Sequence, residues 1–248
     1  MRNACSTQSR SIWLLLALPL FFGACQGIGG KRVHGDGNIH SDDRSITTFK
    51  TLDLRVNADV YITTGDHASV KLEGDDNLLK FINVEQSGDV VTVRSREGFN
   101  LVPSNDLKIY VTTPELDRIE ASGACNIETQ NKLVSPDGLD MRISGAGNIK
   151  MEVDAPHVNA KLSGAGNISL KGQTKDVRLD LSGAGNAKCY DLLAENTEVT
   201  ISGFGSAEVY ASVKLVATVS GAGDVKYKGN ATDVEQHVSG AGGVSKAE

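Results

Sequence analysis

Apolar and polar residues alternate on both sides of a recurring Ser-Gly-Ala-Gly-Asn motif, in the same phase in every copy. On the entering side the apolar positions are Ile143, Leu162, Leu181, Ile201, Val219 and Val238, each directly before the serine. Two residues further back stand Met141, Ala160, Leu179, Val199 and Ala217, with Gln236 in the last copy, and mostly polar residues such as Asp140, Arg142, Arg178 and Asp180 lie between. The leaving side repeats the pattern with Ile149, Ile168, Ala187, Ala207, Val225 and Val244, followed by Met151, Leu170, Cys189, Val209 and Tyr227. A period of two is that of a strand with one buried face. Each copy therefore predicts strand, corner, strand, and the glycines in every copy weigh against helix.

The motif or a near variant begins at Ser122, Ser144, Ser163, Ser182, Ser202, Ser220 and Ser239, with spacings of 22, 19, 19, 20, 18 and 19 residues. A near-constant period of this size makes each copy one coil of an all-β solenoid, a single-stranded β-helix of about 19 residues per coil. The glycines supply backbone angles that a side chain would obstruct at a tight corner. The alanine between them (Ala146, Ala165, Ala184, Ala222, Ala241) is expected to point into the corner, and Phe204 breaks that column. Coils stack about 4.8 Å apart, which places Cys125 and Cys189 about 14 Å from each other, beyond disulfide reach, so both thiols are expected to be free.

Upstream, residues 44–118 keep the grammar without the motif. Leu52-Asp53-Leu54-Arg55-Val56-Asn57-Ala58-Asp59-Val60-Tyr61-Ile62 reads as strand, small turn, strand, and Ser87-Gly88-Asp89-Val90-Val91 repeats it faintly. These are degenerate N-terminal coils or a β cap, continuous with the regular coils of 119–248 in one head domain spanning 44–248. Residues 25–43 carry five glycines and no apolar period, which predicts a flexible leash with order beginning near Ser45. At the start, Arg2 and Arg10 precede an apolar run over 12–22 that is too short to span a membrane. Residues 1–24 therefore read as an export signal. Phe21-Phe22-Gly23-Ala24-Cys25 resembles a lipobox, which makes Cys25 the lipid-attachment residue; Phe22 departs from that pattern, and ordinary cleavage is the alternative.

Losing the signal removes Arg2 and Arg10 and takes the formal net charge from −6 to −8, which disfavours nucleic acid and adsorption to anionic lipid. The acyl chain is then the expected membrane attachment. Aromatic content of 5% leaves the core to small aliphatics.

The run Ile109-Tyr110-Val111-Thr112-Thr113-Pro114-Glu115-Leu116-Asp117-Arg118-Ile119-Glu120-Ala121-Ser122-Gly123-Ala124, with the Gly-Asn-Ile repeats at 147–149 and 166–168, resembles the auto-transporter adhesin "head GIN" domain family over roughly residues 45–244. The resemblance implies a right-handed β-helix on a cell-envelope lipoprotein anchored in the outer membrane, of the kind common in Bacteroidetes. It implies an adhesive role and supplies no catalytic residues.

Candidate chemistry is sparse. The outward columns Asp140, Asn159, Arg178, Glu198, Val216, Glu235 and Arg142, Lys161, Asp180, Thr200, Thr218, His237 do not gather acids on neighbouring coils, as a calcium-assisted polysaccharide-acting enzyme on this scaffold requires. Histidines 34, 40, 67, 157 and 237 show no metal-ligand spacing, so neither metal nor cofactor is expected. The asparagines at 126, 148, 167 and 186 are expected to stack and hydrogen-bond to one another rather than to bind calcium. The one contact site singled out is an outward column in which Tyr190 and Tyr210 form an aromatic step flanked by Lys171 and Lys228, suited to a glycan or a surface protein. The last coil ends in mid-strand, which leaves end-to-end self-association open. The resulting expectation is a non-enzymatic envelope adhesin, with an envelope scaffold and a polysaccharide-acting enzyme as alternatives.

Overall fold

The computed structural model describes residues 30–248, and the signal segment and Cys25 lie outside the described residues. Strand makes up 74% and helix 2% of the described residues, arranged as a β-solenoid of about six turns roughly 20 residues apart. In chain order the elements are β1 (Lys31–His34), β2 (Ile39–Arg44), β3 (Thr51–Arg55), β4 (Ala58–Thr64), β5 (Ser69–Asp75), α1 (Asp76–Leu79), β6 (Ile82–Ser87), β7 (Val90–Ser95), β8 (Phe99–Val102) and β9 (Lys108–Thr113). The regular part follows with β10 (Arg118–Thr129), β11 (Leu133–Val134), β12 (Leu139–Cys189), β13 (Leu192–Tyr210), β14 (Lys214–Lys228), β15 (Asp233–Gly240) and β16 (Gly243–Lys246). β12 runs for 51 residues because its corners stay extended, so the ladder is not interrupted as the chain turns.

The regular coils pair in parallel and in the register of the motif. Ser182 lies against Ser202 and Ser202 against Ser220, with Asn186 against Ser206 and Ser206 against Asp224. The inward positions read from the alternation are buried, among them Met141, Ile143, Leu162, Leu179, Ile201 and Val219. The exception is the last coil, where Val238 is 43% exposed because no further coil covers it among the described residues. Large side chains (Phe49, Leu52, Leu54, Ile109, Leu116, Ile119) fill the N-terminal end of the core, whereas Ala187, Ala194, Ala207, Ala211 and Ala217 fill much of the later coils. Cys125 and Cys189 are both free and buried.

Residues 44–118 combine coil and cap, in an order the sequence does not follow. β3 and β4 make a coil directly beneath β10, with Leu54 against Ala121 and Val60 against Ile127. The coil beneath that one comes later in the chain: β7 pairs in parallel with β3, and β9 with β4. Antiparallel strands then cover the outer edges, β6 on β7 and β5 on β9, with β2 beyond β5. The faint repeat at Ser87-Gly88-Asp89 is accordingly a hairpin turn between β6 and β7, with Gly88 at φ +58°, and not a coil corner.

Two further expectations are corrected. The leash does not extend to residue 43, because β1 pairs with β8 and β2 with β5. The glycines make the turn between them, and the backbone of an otherwise unremarkable segment satisfies two sheet edges. Asp75, 2% exposed, fastens this turn by accepting the Gly37 N–H at 2.8 Å, the Ser104 N–H at 2.8 Å and the Ser104 hydroxyl. Burial alone would raise its pKa, but these donors, together with the Asn105 N–H, hold the carboxyl below its ordinary value.

The motif alanines, secondly, point outward: Ala146, Ala165, Ala184, Ala222 and Ala241 are all exposed. The reason is the glycine on either side. A Cβ at Gly164, where φ is +138°, would overlap the carbonyl oxygen of Gly145 one coil below, and one at Gly147 the carbonyl oxygen of Cys125. The corner is closed by backbone against backbone, which leaves no inward space for a methyl group.

Candidate functional site

Turning the corner outward gives the coils that begin at Ser122, Ser144, Ser163 and Ser182 three exposed side chains in a row, from the serine, the alanine and the asparagine; Ser206 and Asp224 continue the last column. Stacking repeats the row at about 4.8 Å. The result is a flat ridge along the molecule with columns of hydroxyl, methyl and amide.

The amide column is fixed by its own hydrogen bonds. Asn126 donates to Asp59 at 2.9 Å, Asn148 to Asn126 at 3.0 Å, Asn167 to Asn148 at 2.9 Å and Asn186 to Asn167 at 3.3 Å. Asn186 closes the run by accepting from the Ser206 hydroxyl at 2.9 Å. Each amide uses one donor and one acceptor within the ladder, so the stacking inferred from the sequence is the arrangement found.

Phe204 replaces alanine in the methyl column and is 72% exposed, the most exposed of the large apolar residues described. It stands between Gly203 and Gly205, with Ala184 and Ala222 on the adjacent coils. An isolated phenyl ring on a flat, rigid strip of small residues is a ready contact point for a partner.

The tyrosine column is arranged differently from a step of two rings. Val209 lies against Cys189 and Lys228 against Tyr210, so Tyr190, Tyr210 and Lys228 follow one another up the stack. The group over the Tyr190 ring is the Lys228 ammonium, 4.9 Å from its centroid, reaching across the intervening coil. Lys171 is drawn the other way, to Glu152 at 2.8 Å, and that carboxylate raises its pKa. Burial, with the Glu208 charge, also raises the pKa of Tyr190.

A stacked pair of tyrosines does occur, on the cap. Tyr61 of β4 and Tyr110 of β9 have centroids 5.2 Å apart and planes at 21°, with the Lys71 ammonium 4.6 Å from the Tyr110 ring. Periodicity could not find this pair, because β9 returns to β4 from outside the repeat.

The grouping of acids closest to a metal site among the described residues is Glu115, Asp117 and Asp137. Its centre is taken by the Lys50 ammonium, at 2.9 Å from Glu115 and 3.3 Å from each of the other two. These carboxylates raise the pKa of Lys50, so the lysine remains the cation of the cluster. The outward column read from the sequence forms cross-coil pairs, with Asn159 donating to Asp140 at 2.8 Å and Arg178 meeting Glu198 at 3.0 Å. No helix among the described residues is long and apolar enough to cross a membrane.

Comparison with known proteins agrees with this picture. The family model described as "Putative auto-transporter adhesin, head GIN domain" matches residues 48–231. A crystal structure named "putative adhesin" from Bacteroides fragilis shares 23% identity and a TM-score of 0.82, covering 87% of this chain and all of that one. Another "putative adhesin", from Parabacteroides merdae, shares 20% identity and a TM-score of 0.68, covering 88% of this chain and all of its own. A protein of Parabacteroides distasonis named "putative lipid binding protein" shares 19% identity and a TM-score of 0.70 over the same shares of the two chains. At these identities the structures establish the fold. Among curated proteins nothing matches.

Proposed function

The chain belongs to the family described as "Putative auto-transporter adhesin, head GIN domain", and from that premise we propose that it is a non-enzymatic adhesin of the cell envelope. In this reading Cys25 carries the lipid anchor in the outer membrane, and the solenoid is displayed to a glycan or a surface protein. The observation that carries the reading is the ridge. Its side chains point outward, its amide column is cross-bonded from Asp59 to Ser206, and it presents Phe204 without cover. A surface so rigid loses little conformational freedom on binding. The Tyr190 and Tyr210 column with Lys171 and Lys228 is a second contact face, although Lys228 must leave the Tyr190 ring before a sugar can stack there.

The test uses the mature chain carrying Cys25→Ser, which keeps β1 and β2 in place. It is offered to immobilised bacterial and host glycans and to intact cell surfaces, beside Phe204→Ser and the double variant Tyr190→Ala, Tyr210→Ala. Binding that falls tenfold or more in either variant supports the reading; no binding to any surface overturns it. A second reading, an envelope assembly component, is favoured by the outer edge of β15 and β16, which has no partner strand among the described residues. Sedimentation showing concentration-dependent association would move weight to that reading.

A further inference from the structure

One recess belongs to neither contact face. The register of β3–β4 on β7–β9 sets Arg55 against Arg94 and Asp59 against Lys108. Residues 95–107 therefore stand where the coil above has only Val56, Asn57 and Ala58. The tight corner is replaced by an excursion that carries β8 out to pair with β1. Between the excursion, α1 and the underside of the first corner lies a cavity of about 530 Å³, within the range of small-ligand sites.

Its walls are chemically divided. Val56, Leu79, Ile82, Phe99 and Leu107 form the apolar part, and Asn57, Asp59, Asn105, Asp106 and Asn126 bring amides and carboxylates to the opening. The lining contains three aspartates and no lysine, arginine or histidine. Asp75 is already saturated by Gly37 and Ser104, so the carboxylates left for a ligand are Asp59 and Asp106.

Asn57 and Asp59 are held in place by the end of the ridge. Asn57 Oδ1 accepts the Ala124 N–H at 2.9 Å, and Asp59 Oδ1 accepts from Asn126 at 2.9 Å. Each keeps its other polar atom, an amide nitrogen and a carboxylate oxygen, free of any hydrogen bond among the described residues. Asn57 stands in the corner just before β4 and Asp59 is the second residue of that strand; buried Ala58 separates them, and both line the recess. A fixed donor beside a fixed acceptor suits two neighbouring hydroxyls, of which one accepts and the other donates, while an apolar wall suits the C–H face of a sugar ring. Anionic ligands, such as a fatty acid, a phosphate or a sialic acid, meet carboxylates and no cationic side chain among the lining residues.

We infer that this recess binds the terminal unit of a neutral saccharide, with Asn57 and Asp59 reading adjacent hydroxyls. The inference rests on the adhesin reading for the source of the sugar, but the location is its own. The experiment offers the Cys25→Ser mature chain to glycans ending in galactose, mannose, N-acetylglucosamine or sialic acid, and separately to palmitate. Three variants accompany it: Asn57→Asp keeps the acceptor for Ala124 and removes the donor, Asp59→Asn removes the carboxylate, and Asn105→Trp obstructs the opening from an exposed position. Thermal melts confirm that each variant is folded.

The expected result is binding of one or more neutral termini, reduced about tenfold by Asn57→Asp and by Asp59→Asn and abolished by Asn105→Trp. Preference for sialylated termini, binding of palmitate alone, or neutral binding that all three variants leave unchanged overturns the inference. Neutral binding lost only in the Phe204 or tyrosine variants overturns it too, while leaving the adhesin reading standing.

Discussion

The coils from β10 upward and the N-terminal region share a parallel ladder, to which the N-terminal region adds antiparallel strands, but they draw on different distances along the chain. In the upper coils every residue meets its counterpart one repeat away, as Ser182 meets Ser202. In the cap the partners come from far apart: Asn57 holds Ala124 across 67 residues, and Thr47 is held by Gln86 across 39. The upper region leaves no room for a Cβ at corner glycines such as Gly145 and Gly164, while its outward column accepts Phe204 in place of alanine. The lower region leaves open space at turn glycines such as Gly37, Gly88 and Gly98 but depends on a few polar fasteners.

The sharpest way to break this contrast is to add a side chain at a corner. Gly164→Val combines a positive φ with overlap of the coil below and is expected to cost about 4 kcal/mol in urea unfolding of the mature chain. The same change at Gly37 in the cap, where φ is +80° but a Cβ meets nothing, is expected to cost only about 1 kcal/mol. Equal losses at the two sites would remove the distinction.

Asp75→Ala comes next, at about 3 kcal/mol, because it strands the donors of Gly37 and Ser104. Limited proteolysis is expected to cut first within the cap while fragments of the upper coils persist. The pH dependence follows from the depressed pKa of Asp75. Its contribution is fully present above the ordinary carboxylate pKa and is lost as pH falls through the lowered folded value. Hydrogen exchange at acid pH should therefore show the cap opening before the coils, and simultaneous opening would contradict that role.

Asn148→Ala removes two exposed hydrogen bonds of the ladder and should cost about 1 kcal/mol. The smallest effect is kinetic. Burial pushes the Cys189 thiol up to about 12, and raises the Cys125 thiol as well. Cys125 lies at the junction, its Sγ donating to the Val56 carbonyl oxygen at 2.9 Å. Thiol labelling under native conditions should thus reach Cys125 first, in step with cap opening, and Cys189 only on global unfolding.

The upper coils were legible because their information is periodic. A two-residue alternation identifies Ile143 or Leu181 as inward without knowledge of any other coil, and a recurring asparagine implies its own partner. The direction of the alanines was misread because the limiting contact is between backbones, which no side-chain pattern records. In the cap, neither the insertion of β7 and β9 beneath β3 and β4, nor the Tyr61–Tyr110 stack, nor the pairing of β1 with β8 and of β2 with β5 follows from local sequence. Each depends on a return of the chain over tens of residues, and the role of Asp75 emerges only when Ser104 is placed beside it.

The splice at the base also sets how such a molecule can vary over time. Because β5 and β6 close the lower edge, the solenoid can lengthen or shorten only at its other end or by gain and loss of whole repeats. A repeat inserted between two others disturbs only the two neighbours it separates. The length of the solenoid is thus free to drift by one repeat at a time, while the cap and its recess stay as they are.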